Sequence, residues 1–415
     1  MAAATTTTIA GILKRLYPQS TVPSLMFDGH PFFGMLPKSE NFGGEDMRIA
    51  MTRAGTAGGS ATFSTAQSNK EGAKHTGFNV TDRIDYSLWS ISTQAKLASE
   101  INPGALVAAV KAEADAAFNT AHRSLSISMF RNGGGARGQV GSTSTTTLTL
   151  LDPEDIYMFE EGMYVETSTT DGTSGSVDAG SSTQITGVDY DAGTLTAAAN
   201  WTAGGDFSDN DFLFRAGDFG ATLLGLDSWL PGTAPTGGDS FYNVDRSVNP
   251  TKLAGVRYVA ATGTDDTYSD ALVNAGVKLS RHQSKADCAF VNPAQYLKIL
   301  EEQGNKVRHT KTTARGAKGA LANISFDGLE LSTLCGTVKV IPDIDCPNHV
   351  AYMLQMDTWK LYTRGGCPRW LADDGNKMLR ESSADAIEGR LGTYGALTCT
   401  KPGRNARIDL SALAA

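Results

Sequence analysis

Three stretches of this sequence place residues at spacings that could do chemistry. Gly133, Gly135 and Gly138 spell G-x-G-x-x-G, the pattern that lets a backbone approach a dinucleotide pyrophosphate. That chemistry needs a strand, a glycine turn and then a helix. Here the glycines follow a helical stretch and precede a polar, Thr-rich strand, so they read as a flexible joint. Asp206, Asp209 and Asp211 could gather round a calcium ion. No EF-hand loop with a closing Glu follows, and the trio reads as a solvated acidic turn. Lys306, Arg308, His309, Lys311, Arg315 and Lys318 form a basic loop without an acid. Small residues rather than aromatics fill its gaps, which suits phosphate contact and not base stacking. The six histidines have no metal-ligand spacing with another His or Cys, and no two of the five cysteines form C-x-x-C. Neither a G-x-S-x-G elbow nor a phosphate loop is present. No metal, cofactor or enzymatic activity is expected.

Charge is distributed unevenly. From Gln139 to Phe214 there is no Lys or Arg, yet thirteen of the 44 acids lie there. The rest of the 415-residue chain carries 36 basic residues against 31 acidic ones. An acidic module is set into a mildly basic chain, so the module belongs in open solvent and the remainder tolerates a polyanion. The N-terminus lacks the basic start and apolar run of a secretory signal, and no stretch is long enough for a membrane helix. Reduced thiols and a cytosolic site of synthesis are expected.

The elements that would position these residues follow in order. Residues 1–46 read as an extended arm, punctuated by prolines, with Phe27, Phe32, Phe33 and Phe42 at no fixed period. Such an arm must bury its aromatics on something else, which points to neighbouring subunits. Apolar and polar residues alternate over Met47–Arg53 and again over Phe78–Ser90, predicting strands of a hairpin with a long tip, 47–92. Asn102-Pro103 opens a helix that runs to Phe130, about 40 Å long. Leu106, Val110, Ala117, Ala121, Leu125 and Met129 form its apolar stripe; Lys111, Arg123 and Arg131 lie off it. Five short strands between turn clusters predict a small β barrel or sandwich at 139–216, with Asp189–Gly193 as one hairpin connection. Mixed α/β texture follows from Asp218.

This order of parts resembles the major capsid protein of tailed bacteriophages, the Hong Kong 97-type fold. Local motifs add to it. Cys288-Ala-Phe-Val-Asn-Pro resembles the family's strand-then-helix in the axial domain. Leu334-Cys-Gly-Thr-Val-Lys-Val-Ile-Pro resembles the strand after it, and Val350–Met356 with Trp359 the next. Glu388-Gly-Arg390-Leu-Gly-Thr-Tyr394, with Lys401-Pro402 beyond, resembles the final strand pair of the peripheral domain. The basic family fold lacks the module at 139–216.

The resemblance implies an α+β fold divided as N-terminal arm 1–46, extended hairpin loop 47–92, spine helix 93–138, inserted β domain 139–216, peripheral strands 217–266, axial domain 267–380 and peripheral strands 381–415. It implies self-assembly into pentamers and hexamers of an icosahedral phage head, built in the host bacterial cytoplasm and enclosing double-stranded DNA. A separate scaffolding protein, a portal and decoration proteins would be partners, and no membrane. Lys111, Arg123 and Arg131 would face DNA. Phe27, Phe32, Phe33, Phe42, Phe78, Ile84, Tyr86 and Leu88 would contact other subunits. Lys70 and Lys74, at the hairpin tip, are where some relatives crosslink, although a plain surface lysine explains each. Two other classes stay open: an encapsulin-like shell with protein cargo, and a β-rich adhesion or carbohydrate-binding protein.

Overall fold

The apolar run Cys288–Val291 is buried at every position because both of its faces are covered. In the computed structural model, which describes residues 29–94, 97, 109–178, 180, 182–201, 207–303, 329–372 and 375–413, it lies inside a six-stranded mixed sheet. The strand order is Val256–Val259, Ala406–Asp409, Val350–Leu354, Cys288–Val291, Gly336–Pro342, Leu329–Thr333. Ala289 and Val291 face one core, shared with helix Tyr268–Ser280; Cys288 and Phe290 face a second, which holds Trp229 and Trp359. Side-chain caps start the flanking helices. Thr267 Oγ1 accepts the Asp270 N–H (3.1 Å), and Asn292 Oδ1 accepts that of Ala294 (2.9 Å), opening helix Pro293–Gln303.

A second sheet forms round the 14-residue strand Ala386–Cys399. Trp359–Thr363, Arg369–Trp370, Met378–Arg380 and Arg83–Ser92 all pair with it, and Lys38–Ser39 adds to Trp359–Thr363. Sheet membership runs across the bounds of the expected segments. Val256–Val259, from the expected segment 217–266, and Ala406–Asp409, from 381–415, pair in parallel and join the first sheet. Trp359–Thr363, Arg369–Trp370 and Met378–Arg380, within the expected axial 267–380, belong to the second.

The alternating stretch Phe78–Ser90 is two strands, not one. Lys74–Thr81 pairs with Asp46–Ala54 in the hairpin, and Arg83–Ser92 crosses into the second sheet. The break is at Asp82, whose carboxylate is forked by Arg364 (Nη2–Oδ1 3.0 Å). The long hairpin tip contains a short helix, Phe63–Ser68. Met47, Ile49 and Met51 alternate as expected and lean on the core.

The long helix is described over Ala109–Phe130, about 33 Å at about 1.5 Å per residue. Its expected opening at Asn102-Pro103, and Leu106, lie outside the described residues, as does the Val110 side chain. Ala117, Ala121, Leu125 and Met129 are buried as a stripe. From Arg123 to Phe130 every position is buried, so this end is enclosed on all sides. Leu125, Met129 and Phe130 pack in the core with Phe32 and Phe290; a further side is covered by a closed six-stranded barrel: Phe212–Arg215, Ala136–Ser144, Thr147–Leu150, Thr194–Ala197, Thr183–Asp189 and Tyr164–Ser168, in order round the ring. Ile127 of the helix is part of the barrel's own apolar core. Strand Ala136–Ser144 was not expected, because Val140 is its one large apolar residue.

All five cysteines are free thiols. Among the described residues no helix is long and apolar enough to cross a membrane, and no three His, Cys, Asp or Glu could hold a metal ion.

Candidate assembly surface

Strand Arg83–Ser92 has one covered face and one open one. Trp89 and Ile91 pack with Ala117 of the long helix, and Ser87 Oγ donates to the Ala117 carbonyl (3.1 Å). On the opposite face Ile84, Tyr86 and Leu88 are 48%, 50% and 36% exposed. Tyr394, directly across from Ile84, stands edge-on to Tyr86 at 6.1 Å, with the Arg369 guanidinium 5.6 Å from its ring. This is an apolar and aromatic patch on a paired strand of the second sheet. A second apolar point is Phe63 on the hairpin-tip helix, 82% exposed. Covering either removes apolar area from water at about 25 cal/mol per Å².

The arm is fastened beside this sheet by a buried polar cluster. His30 Nδ1 meets Asp345 Oδ2 at 2.7 Å, and Ser126 of the long helix donates to the same oxygen. The Phe32 N–H donates to Asp343 Oδ2 (3.0 Å), and Asp343 Oδ1 accepts the Asp345 N–H (3.1 Å). Burial pulls the His30 pKa down, but the Asp345 hydrogen bond and charge outweigh it and the net shift is upward. Burial, with repulsion from Asp345, pushes the Asp343 carboxyl up to about 7. Pro31 starts a single helical turn, Pro31–Met35, that aims Phe32 between Phe130 (5.2 Å) and Phe290 (5.1 Å).

The barrel is locked to the body by charge and by close backbone approach. Arg123 pairs with Glu160 and donates to the Tyr157 carbonyl; Arg131 pairs with Asp155 (3.2 Å). Burial pushes Asp155 up to about 6 against the pull of Arg131. A second chain of pairs runs Arg137–Asp218 (3.2 Å), Asp218–Arg215 (2.8 Å) and Arg215–Asp85 (2.7 Å), tying the barrel's neck to strand Arg83–Ser92. Burial lowers Arg137 to about 10. The glycines at the junction are not a loose joint. A Cβ on Gly134 would stand 2.1 Å from the Asp171 carbonyl oxygen, and one on Gly135 2.4 Å from that of Asp218.

The expected site residues therefore scatter. Phe32, Phe33 and Phe42, expected on other subunits, are buried in the chain's own core, as is Phe78 against Trp229 (5.1 Å). Phe27 lies outside the described residues. Arg123, expected to face DNA, is buried beneath the barrel, and Arg131 is turned to Asp155; Lys111 is exposed. Lys70 is exposed, and Lys74 pairs with Glu71. The basic loop Lys306–Lys318 and Asp206 lie outside the described residues. Asp211 is buried and accepts the Ser208 N–H (2.9 Å); Asp209 is exposed. The ionic chain through Asp85 and Arg215 was missed, since its members are 130 residues apart in sequence.

No protein-family model and no curated protein sequence matches this chain. Solved structures do. The capsid asymmetric unit of cyanophage A-1(L) superposes with a TM-score of 0.56 at 11% identity, covering 94% of this chain and 95% of that one. The capsid of an empty GTA particle gives 0.49 at 9% identity over 95% and 94%. An encapsulin complex from Synechococcus elongatus gives 0.45 at 8% identity over 97% and 94%. Over almost its whole length, the fold of this chain is that of a phage capsid protein.

Proposed function

We propose that this chain is the major capsid subunit of a tailed-phage-type icosahedral head, assembling as pentamers and hexamers round double-stranded DNA. The observation that carries the reading is the end-to-end fold match to a phage capsid subunit. The open stripe of Ile84, Tyr86 and Leu88 supplies a surface for a neighbouring copy, and the hairpin with Phe63 supplies a reach towards one. Many weak contacts suffice when every subunit is held by several neighbours. The barrel, with its excess of acids, sits on the outer side, away from the genome. A separate scaffolding protein, a portal and decoration proteins complete the particle, which forms in the host bacterial cytoplasm.

Negative-stain microscopy of the expressed chain, with and without a co-expressed scaffolding protein, tests this. Closed shells are expected, and nucleic acid inside particles from infected cells separates a virus head from a protein-cargo compartment. A compact monomer under every condition sinks the reading. The triple substitution Ile84→Ser, Tyr86→Ser, Leu88→Ser is expected to stop shell formation while leaving the melting temperature of the monomer within a few degrees. Shells of normal yield from that variant remove the stripe from the assembly surface. Lys70 and Lys74 are ordinary surface lysines in this reading. Mature particles are expected to run on denaturing gels as one band near 43.8 kDa; a ladder of multimers would show covalent crosslinking instead.

A further inference from the structure

Four distant segments converge on a groove of about 740 Å³ that no sequence window contains. Arg53 comes from the end of hairpin strand Asp46–Ala54, and Lys252 from the short helix Pro250–Ala254. Arg281 and His282 lie where helix Tyr268–Ser280 ends; Lys401 and Arg404 bracket the turn into strand Ala406–Asp409. All six line the groove, and no acidic side chain and no Phe, Tyr or Trp does. Among the described residues none of the five Lys and Arg makes an ion pair.

The walls are fixed. Lys252 Nζ donates to the Arg53 carbonyl (2.9 Å), and Ser284 Oγ to that of Arg404 (2.6 Å). A Cβ on Gly403 would stand 2.8 Å from the Lys252 Cα, so turn and helix touch backbone to backbone. Burial, and then the Lys252 charge, lower the His282 pKa. A cation at a helix C-terminus complements the backbone dipole, which accounts for Arg281 but not for the other three segments. Like charges held this close raise the energy of the bare fold, and an anion laid between them relieves it.

We propose that this groove binds the phosphate backbone of double-stranded nucleic acid without reading its sequence. Three of the five cations are arginines, whose planar forks match phosphate oxygens. The groove holds no Phe, Tyr or Trp for base stacking, and its large apolar lining is Met51 and Leu253 against five cations, a balance that favours a phosphate backbone over an acidic peptide. The inference rests on the shell reading only in naming the enclosed duplex as the source of phosphate.

The test is equilibrium binding of a short random-sequence DNA duplex to the purified full chain over a salt series, beside polyglutamate as an acidic polypeptide. Arg281→Gln, Lys401→Gln and Arg404→Gln are combined in one variant. Lys70→Gln, Lys298→Gln and Lys377→Gln make a control with the same net charge. The groove variant is expected to bind duplex at least ~10-fold more weakly, with the slope of log affinity against log salt reduced by about 3, at roughly 0.9 per phosphate contact. The control is expected to keep both. Failure of the unsubstituted chain to bind duplex, equal losses in the two variants, or a loss confined to polyglutamate overturns the proposal. Microscopy of the same samples reports the shell reading separately: shells without groove-dependent binding overturn the groove alone, and groove-dependent binding without shells overturns the shell alone.

Discussion

Replacing His30 with alanine is expected to destabilise the chain by about 3 kcal/mol, because it strips the partner from a buried carboxylate. Asp345 would keep the Ser126 hydroxyl but lose its only imidazole, and the arm would lose its fastening next to Phe32. The loss should depend on pH. The His30 pKa is raised in the fold, so the stability it contributes is complete below the unfolded value of about 6.5 and fades as pH rises through the folded value. Urea denaturation should therefore show the largest gap between His30→Ala and the unsubstituted chain near pH 6, and a smaller one at pH 9. A gap independent of pH would mean that His30 acts by shape and not by charge. Asp343 adds a trend of the same sign. Its carboxyl, at about 7 in the fold, keeps a proton that the unfolded chain gives up near 4, so stability declines as pH rises between the two. Asp343→Asn should flatten that part of the profile. His122 and Arg123 also face His30 and oppose its charge, which limits the size of the effect.

Gly134→Ala is expected to cost about 3 kcal/mol and to loosen the barrel from the body. The new methyl would overlap the Asp171 carbonyl oxygen, a backbone atom that cannot swing away. The facing residue offers no relief, since a Cβ on Gly172 would lie 2.0 Å from the Gly134 oxygen. Asn132 clamps the same spot, accepting the Gly134 N–H (2.9 Å) and donating to Asp171 Oδ2 (2.7 Å). Gly187→Ala, in a barrel strand where a Cβ meets nothing closer than 3.7 Å, is the control and should be near neutral. Thermal melts and limited proteolysis at the junction would separate the two. Coincident melts, or equal resistance to protease, would contradict the tight junction.

Much of this fold was legible where local chemistry decides it. Asn292-Pro293 marks a helix start whatever surrounds it, and Asp189–Gly193 turns a hairpin in the barrel as expected. The run Cys288–Val291 announces a strand buried on both faces. What stayed hidden depends on which surfaces meet. Phe32, Phe33 and Phe42 have no period, so nothing in their spacing says that Phe130 and Phe290 of the same chain receive them. Arg123 lies off the apolar stripe and looks free until a barrel inserted after the helix folds back over it. Ile84, Tyr86 and Leu88 share parity with Phe78 and Val80, but the break at Asp82 moves them into another sheet, with their apolar sides outward. The groove cations come from positions 53, 252, 281 and 401 onward, and the basic run visible in sequence lies elsewhere.

The barrel's first strand, Ala136–Ser144, is paired with its last, Phe212–Arg215. The chain therefore leaves the body and returns to it at one point. An evolutionary or engineered exchange at that point could swap in another compact unit without moving either stump. The graft is not free of its host, however: a replacement must still roof Ile127 and answer the positive charge of Arg123, or the spine beneath would stand bare on that side.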